Sequence, residues 1–298
     1  MPDYGHDLMF GVSVPPVAAR AEAILALAES ADLAGLDLFS IQDHPYQPAF
    51  LETWTLMSVI AARTDRVRIL PNVLNLPLRP PAVLARAAAS LDILSGGRVE
   101  LALGAGYFWD AIAAMGGPRR GPGEALAALE EAIGVIRALW TPGRGARFEG
   151  RHYRLDGAKP GPFPVHPMGI WLGVYRDRAL GLTGRLADAW LPSAPYAPPE
   201  RLTRMNQLVD DGALAAERDP RDIRRMYNVA GSFSGSGREF LQGPVEAWVE
   251  QLAELALTEG IGGFIMSTED DADLRRFAEE VAGGVRQLVE RERGRPPT

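Results

Sequence analysis

The stretch Val67–Gly104 reads VRILPNVLNLPLRPPAVLARAAASLDILSGGRVELALG, and it indicates which kind of sheet the chain forms. The apolar run that starts at Val67 and continues toward Leu74 predicts a buried strand. Pro80–Leu94 predicts a helix with proline near its first turn, where the missing N–H costs little. Val99–Gly104 predicts the next buried strand. A strand–helix–strand unit of this kind is typical of a parallel sheet, because parallel neighbours need a crossover connection.

The same alternation continues on both sides of this unit. Short apolar runs predict strands at 8–14, 36–41, 67–74, 99–104, 169–173, 187–191, 223–233 and 263–267. Amphipathic segments predict helices at 18–34, 54–62, 80–94, 124–140, 178–185, 199–217, 244–259 and 271–291. Eight such repeats predict an α/β fold, a (β/α)8 TIM barrel. An open doubly wound sheet is the alternative, and closure is favoured over it because an open sheet must protect two edges.

Residues 141–168 interrupt the alternation between predicted strands 4 and 5. They contain many Gly and Pro residues and a predicted hairpin at 147–155. The segment has too few apolar residues to form a core of its own. We therefore interpret it as an insertion on the barrel rim and the chain, residues 1–298, as a single barrel domain.

Composition excludes several function classes. The 31 Lys and Arg residues oppose 38 Asp and Glu, a formal charge of −7, which disfavours nucleic acid and anionic membranes as partners. The absence of cysteine excludes disulfides, thiolate metal sites and cysteine nucleophiles. The one lysine, Lys159, falls in a Gly- and Pro-rich loop, so we expect no Schiff-base chemistry. No basic leader or spanning apolar segment is visible, so we expect a cytoplasmic protein.

The active site of such a barrel lies where the strands end. The segments that follow the predicted strands are 15–16, 42–46, 72–77, 104–110, 173–177, 192–194, 234–236 and 267–269. They are rich in aromatic residues, glycine and amides. The four histidines, His6, His44, His152 and His166, show no metal-binding spacing, so we expect no metal. This inventory suits a flat, uncharged ring with a phosphate tail, a cofactor that carries the chemistry itself.

Five segments carry a resemblance to a known family: Gln42-Asp43-His44, Asn72–Pro81, Ala89–Arg98, Leu103–Gly106 and Leu182–Trp190. In this order and spacing, the sequence resembles the bacterial luciferase-like monooxygenase superfamily over nearly its whole length. The resemblance implies a TIM barrel with an insertion. It also implies a bound flavin, either FMN or the deazaflavin coenzyme F420.

The resemblance assigns roles to residues that follow strands 2 and 3. His44 matches a histidine at the reacting face of the ring in deazaflavin-dependent members, and imidazole exchanges protons near neutral pH. Packing of the loop is the alternative role. Asp43 would orient His44 or bond the polar edge of the ring, unless it is a solvated turn residue. Asn72-Val73 matches a non-proline cis peptide that bulges toward the ring, with a trans strand end as the alternative, and Asn75 would bond the pyrimidine edge.

The ends of strands 4 and 5 complete the implied cofactor site. Gly104-Ala105-Gly106 would let the main chain approach the cofactor, because small residues leave room for it. Gly173-Val174-Tyr175-Arg176 precedes a predicted helix whose first amides would hold a phosphate, with Arg176 as countercharge. An ordinary strand-to-helix turn is the alternative.

Aromatic residues near these ends are the candidates for the substrate space. Tyr107 stands where some deazaflavin-dependent sugar dehydrogenases of the family place a glutamate acid. Together with Phe108-Trp109 it would form an apolar wall, which argues against a sugar phosphate as substrate. Trp54, Trp109 and Trp190 would line the same space, with core packing as their alternative role.

Three hypotheses for the function follow. The preferred one is an oxidoreductase that transfers a hydride between F420 and a small organic substrate. The first alternative is an FMN-dependent monooxygenase that uses reduced flavin and O2, and the second is a non-catalytic flavin-binding homologue. A hydrolase or lyase would need paired carboxylates or metal ligands at the strand ends, and the sequence places none there. The resemblance also implies a homodimer, through residues 54–60 and 82–89.

Overall fold

Apolar runs too short for helices form the inner sheet of the molecule. The computed structural model describes residues 3–237 and 239–294. Its strands are β1 Met9–Val14, β2 Leu38–Ile41, β3 Arg68–Pro71, β4 Leu74–Asn75, β5 Leu101–Gly104, β6 Ala146–Glu149, β7 Arg154–Ala158, β8 Ile170–Leu172, β9 Ala189–Trp190, β10 Arg224–Val229, β11 Ser232–Phe233, β12 Gln242–Gly243 and β13 Gly263–Ser267.

The longer amphipathic segments form the outer layer. The α-helices are α1 Ala21–Leu33, α2 Thr53–Arg63, α3 Pro81–Ser95, α4 Trp109–Ala114, α5 Pro122–Trp140, α6 Asp177–Leu186, α7 Pro199–Ala215, α8 Val245–Thr258, α9 Asp271–Arg276 and α10 Gly283–Glu292. Short 3-10 turns lie at Ala18–Arg20, Leu76–Leu78 and Pro220–Asp222. In residues 3–237 and 239–294, no helix combines the length and the hydropathy that crossing a bilayer requires.

The inner sheet is parallel and closes on itself. Its strand order is β3-β2-β1-β13-β10-β9-β8-β5-β4. A parallel bridge between Ile69 and Val99 joins β3 to the segment that leads into β5. Strands β3 and β4 are two halves of one barrel strand, separated at Asn72-Val73, where the peptide bond is cis. The sheet therefore has eight positions among the described residues, and the predicted (β/α)8 barrel is confirmed.

Side chains fill the inside of the barrel and the space around it. The interior cluster is lined by Leu38, Leu70, Ala102, Trp171, Ala189, Leu191, Met226 and Ile265, with Met9 and Val73 at its margin. A larger apolar cluster lies between the strands and the helices. Because the interior is packed, a ligand at this barrel has to bind at the mouth formed by the C-terminal strand ends.

The insertion packs on helix α5. Its hairpin, β6 and β7, is antiparallel. Phe148 lies against Gly134, where a Cβ atom would be only 2.5 Å from the ring. The Glu131 carboxylate accepts hydrogen bonds from the amides of Arg151, His152 and Tyr153 at the hairpin tip. The hairpin thus runs along α5 toward the C-terminal face of the barrel.

Besides small shifts of element ends, four features differ from the prediction. The strand expected at 67–74 is interrupted at Asn72-Val73. The strand expected at 223–233 ends at Val229, because the chain turns at Gly231 against Leu241, and β11 pairs with β12 in a separate small sheet. The last helix contains a π-helical segment, Phe277–Ala282. Helix α4 was not predicted.

Candidate active site

A pair of asparagines spans the barrel mouth. Asn72 Nδ2 donates to Asn228 Oδ1 at 2.7 Å, and Asn228 Nδ2 donates to Asn72 Oδ1 at 3.1 Å. Strands β3 and β10 lie four positions apart on either path around the barrel, so the pair joins opposite sides. Asn72 also donates to Ser40 Oγ and Asn228 to Ser193 Oγ, each at 3.2 Å. These side chains form a polar floor beneath the mouth.

The polar floor continues to the end of β8. The Tyr175 hydroxyl is hydrogen-bonded to Ser193, and its ring packs on Tyr196 with centroids 5.2 Å apart. Burial raises the pKa of Tyr175, and the hydrogen bonds with Ser193 oppose that shift in part. Tyr175 is therefore a neutral hydrogen-bonding group at neutral pH.

Two glycines make room for the side chain of Val73. A Cβ atom at Gly104 would lie 2.9 Å from Val73 Cγ2, and one at Gly173 would lie 3.0 Å from Val73 Cγ1. Larger residues at either position would push the bulged main chain of strand 3 out of place. The break between β3 and β4 and the ends of β5 and β8 are thus fitted to one another around Val73.

A network of ion pairs holds together the loops that follow β2 and β4. Asp43 is 2% exposed, and Arg79 donates to both of its carboxylate oxygens, at 3.0 and 2.8 Å. Arg79 also donates to Glu52 at 2.6 Å, and Glu52 accepts the first amides of α2. Burial raises the pKa of Glu52, but the hydrogen bonds from Arg79 and Thr55 outweigh that effect and hold the pKa below its ordinary value.

Asn75 is positioned by this network and has a free acceptor. Its main-chain N–H donates to Asp43 Oδ2 at 2.8 Å, and its side chain is hydrogen-bonded to the Tyr46 hydroxyl. Burial raises the pKa of Tyr46 to about 12. Asn75 Oδ1 is buried and has no hydrogen-bond partner among the described residues. A buried carboxamide oxygen without a partner is uncommon and indicates a missing donor.

His44 lies among aromatic rings above the floor. Its ring stacks on Tyr46 with centroids 5.4 Å apart, and Phe108 meets it edge-on at 5.6 Å. No hydrogen bond from the described residues reaches either ring nitrogen. Burial lowers the pKa of His44, and the negative charge of Asp43 opposes this only in part. The imidazole is therefore neutral at neutral pH and can accept a proton.

The loop after β5 forms a side wall of the barrel mouth. Gly106 has φ of +99°, a conformation that favours glycine. The Trp109 ring and Pro77 lie against it, 2.8 and 2.7 Å from where a Cβ would be. Ala105 is half-buried beside it, and Tyr107 projects into solvent with 74% of its surface exposed.

Comparison with known proteins identifies the family. Residues 4–239 match the model of a family described as luciferase-like monooxygenase. The chain belongs to the luciferase-like monooxygenase family. The predicted family and its oxidoreductase class are thereby confirmed.

Individual relatives of this luciferase-like protein differ in their reactions. The F420-dependent glucose-6-phosphate dehydrogenase of Amycolatopsis mediterranei (strain U-32) is 30% identical over 226 residues, which cover 74% of this chain and 67% of that protein. A solved F420-dependent secondary alcohol dehydrogenase, in complex with an F420-acetone adduct, superposes with a TM-score of 0.82 at 19% identity, over 94% of this chain and 99% of that one. A long-chain alkane monooxygenase superposes with a TM-score of 0.77 at 13% identity, over 98% and 93%.

The luciferase-like barrel brings most of the predicted site residues to one mouth. The C-terminal strand ends and the segments that follow them carry the following predicted residues: His44, Asn72, Val73, Asn75, the Gly104-Ala105-Gly106 turn, Tyr107, Trp109, Gly173 and Tyr175. The predicted cis peptide at Asn72-Val73 is present. Arg176 is exposed at the N-terminus of α6 and has no ion-pair partner in the described part of the chain. Val174 is buried, and its main-chain oxygen accepts a hydrogen bond from the Trp190 indole.

Two predicted placements need correction. Trp190 is 0% exposed and packs between the barrel and the helices, so it does not line the mouth. Asp43 neither bonds His44 nor points to open space, because Arg79 and the Asn75 amide occupy its oxygens. Trp54 is half-buried in the first turn of α2, where it packs against the outer core.

The sequence analysis gave no role to Arg79, Asn228, Ser193 or Tyr46, although Ser193 and Tyr46 fall in segments that follow predicted strands. A signal existed for Asn228, a lone amide in the apolar run Met226–Val229. Extending that strand to residue 233 hid the signal, because it moved the expected strand end away from Asn228. Arg79 had a weaker signal, a charge inside the apolar segment Leu76–Pro81.

Proposed function

We propose that this protein transfers a hydride between the deazaflavin coenzyme F420 and a small organic substrate. The observation that carries the proposal is the setting of His44. It is a neutral base without a hydrogen-bond partner among the described residues, held by aromatic rings at a mouth whose floor is uncharged. Hydride removal from an alcohol requires such a base for the hydroxyl proton.

The residues of the mouth fit a flat ring with an anionic tail. Asn75 Oδ1 is a buried acceptor that lacks a donor, and a ring N–H would supply one. The glycines at 104 and 173 admit the Val73 side chain, so that the bulged main chain at Asn72-Val73 could form a surface under a flat ring. Arg176 and the first amides of α6 suit a phosphate. When bound, the deazaflavin would accept or donate the hydride at its ring.

The protein's own residues would handle the proton and exclude water. His44 would take the hydroxyl proton during oxidation and return it during reduction. Tyr46 and Phe108 cover its ring and limit access of water to the reacting atoms. The Asp43–Arg79 pair would act at a distance, as it fixes the Asn75 amide and the loop that carries His44.

Relatives support F420 over FMN without excluding FMN. The A. mediterranei relative named above uses F420, while the family description and the alkane monooxygenase keep reduced flavin and O2 open. Titration of the purified protein with each cofactor, followed by fluorescence, tests the choice. We expect micromolar binding of F420. Micromolar binding of FMN with none of F420 would overturn the proposal.

Hydride transfer separates an enzyme from a non-catalytic flavin-binding homologue. The variant His44→Ala should still bind F420, whereas its rate of F420 reduction by an alcohol should collapse by about 10²–10⁴-fold. Unchanged turnover would remove His44 from the mechanism. Binding without any reduction by a panel of alcohols in the wild type would favour the non-catalytic alternative.

We further propose a homodimer through α2 and α3. These helices expose Val59, Val83, Ile93 and Leu94, apolar side chains that a partner copy would cover. Light scattering of the purified protein tests this, with a monomeric mass as the contrary result.

A further inference from the structure

Tyr46 contacts the two residues on which the proposed function depends. Its ring stacks on that of His44, with centroids 5.4 Å apart and 21° between the ring planes. Its hydroxyl is hydrogen-bonded to the side chain of Asn75. His44 is the candidate base, and Asn75 carries the candidate acceptor for a ring N–H. One side chain therefore joins the base to the residue that would hold the cofactor ring.

A tight turn places the Tyr46 ring beside the imidazole. The main-chain N–H of Gln47 donates to the carbonyl oxygen of His44 at 2.9 Å, which closes a four-residue β-turn. Pro45 occupies the second position of this turn, where its fixed φ is favourable. Phe108 meets the two stacked rings edge-on, at 5.6 and 5.7 Å between centroids. The stack is thus set by the local sequence and packed from outside by the neighbouring loop.

The hydroxyl bond fixes which end of the Asn75 carboxamide is free. Asn75 Oδ1 is buried without a partner among the residues that the structure describes, so Asn75 Nδ2 is the group that donates to the Tyr46 oxygen. The main-chain N–H of Asn75 is held separately, by Asp43. With its nitrogen anchored, the carboxamide keeps its oxygen as the free acceptor. Without the hydroxyl, the carboxamide would be free to rotate and to present its nitrogen instead.

We infer that Tyr46 is a positioning residue, which holds the base and the acceptor for the ring edge in a fixed relation to each other. The inference rests on the proposed function, because it concerns the place at which F420 would bind. Its two parts are separable. The hydroxyl keeps Asn75 Oδ1 free as an acceptor, and the ring excludes water from one face of the His44 imidazole.

Two substitutions at Tyr46 separate these parts. Tyr46→Phe keeps the ring and removes the hydroxyl, whereas Tyr46→Leu removes both. Asp43, the charged residue that acts on the imidazole, keeps its partner Arg79 in either variant. Tyr153→Phe and Tyr153→Leu are the matched controls, because Tyr153 is a half-buried tyrosine of the insertion hairpin.

NMR without cofactor measures the contact with His44. The chain has four histidines, so selective labelling gives a simple spectrum, and His44→Gln assigns the signal. In Tyr46→Phe, His44 should titrate at the wild-type pH, because the ring still covers it. In Tyr46→Leu, water reaches the imidazole, and the titration should move to a higher pH, closer to about 6.5.

Selective labelling of asparagine measures the second contact in the same way. Asn75→Leu assigns the side-chain amide signal of Asn75. This signal should shift, and its hydrogens should exchange faster with water, in both Tyr46 variants, because neither has the hydroxyl that accepts from Asn75 Nδ2.

Fluorescence titration with F420 links these contacts to the cofactor. Loss of the hydroxyl should weaken F420 binding about 2–10-fold in Tyr46→Phe, the equivalent of one hydrogen bond. Tyr46→Leu should weaken it at least as much, and the Tyr153 variants should bind F420 as the wild type does.

Distinct results would overturn the two proposals. The role of Tyr46 is overturned by an Asn75 signal or an F420 affinity that is unchanged in Tyr46→Phe, by a His44 titration that is unchanged in Tyr46→Leu, or by the same changes in the Tyr153 variants. Tyr46→Phe, which keeps the ring, tests the inference even if Tyr46→Leu does not fold. Failure of the wild type to bind F420 overturns the proposed function instead, and the NMR signals recorded without cofactor then decide the role of Tyr46.

Discussion

Asn72 and Asn228, 156 residues apart in the chain, exchange two hydrogen bonds across the barrel mouth, at 2.7 and 3.1 Å. The two carboxamides satisfy each other's donors and acceptors in the way that paired bases do. Neither strand could make this contact in an open sheet, because the residues lie on opposite sides of the ring. The pair therefore couples closure of the barrel to the shape of the surface on which a cofactor would rest.

Breaking one side of the asparagine pair should cost stability. In the variant Asn228→Leu, the Asn72 carboxamide loses its reciprocal partner, so we expect a loss of about 1–3 kcal/mol in the free energy of unfolding. Urea denaturation measures it. The double variant Asn72→Leu/Asn228→Leu should lose less than the sum of the single variants, since no polar group is then left unpaired. Additive losses would show that the two residues do not interact.

The Asp43–Arg79 pair should matter more than surface ion pairs. The variant Arg79→Leu leaves the buried Asp43 carboxylate with only the Asn75 amide, so we expect a loss of about 3–5 kcal/mol in unfolding free energy. Arg185→Leu, which breaks an exposed pair with Glu130 at 2.9 Å, should cost less than about 1 kcal/mol. Similar losses for the two variants in urea denaturation would contradict a buried ion pair between Asp43 and Arg79.

The pH dependence of turnover should report His44. Because burial lowers the pKa of His44, the imidazole stays neutral down to a pH below its ordinary value. We expect kcat/KM for alcohol oxidation to be full above that pKa and to fall as pH drops through it. This fall on the acidic side of the pH profile should vanish in the variant His44→Gln. It should persist in His152→Gln, because His152 lies on the insertion. An acidic limb that survives in His44→Gln would assign it to another group.

The alternation of strands and helices was predictable because apolar residues recur with different periods in strands and in helices. Apolar runs and amphipathic segments are local features, and the strand ends that they define locate His44, Asn75 and the Gly104–Gly106 turn. The resemblance added the cis peptide at Asn72-Val73, which hydrophobic periodicity does not encode.

Contacts that depend on side-chain direction were not predictable. Trp190 lies in a strand of two residues, where a shift of one position exchanges the inner and outer faces. Asn228 and Asn72 pair over 156 residues, and the charges of Asp43 and Arg79 find each other only when two loops fold together. Tertiary geometry decides these contacts, so the sequence supplied candidates and the fold selected among them.

The insertion should be anchored in a pH-dependent way where it returns to the barrel. His166 Nδ1 lies 2.7 Å from Asp92 Oδ1, and His166 Nε2 lies 3.6 Å from Glu100 Oε1. Both carboxylates are buried; Asp92 also accepts the Val165 amide and Glu100 the Gly169 amide. The Glu100 carboxylate raises the pKa of His166 and outweighs the opposing effect of burial, with Asp92 adding to the rise.

A histidine with a raised folded pKa stabilises the protein fully below its unfolded pKa, about 6.5, and that contribution is lost as pH rises through the folded pKa. We therefore expect the wild type to exceed His166→Asn in unfolding free energy most at pH near 6, and the gap to shrink at higher pH. Urea denaturation of both proteins across this range measures the gap. His6→Asn is the control, because burial lowers the pKa of His6. The difference in unfolding free energy between the wild type and His6→Asn should therefore not shrink over the same pH interval. A gap for His166→Asn that is constant or widens with pH would mean that the imidazole is held neutral between the two carboxylates.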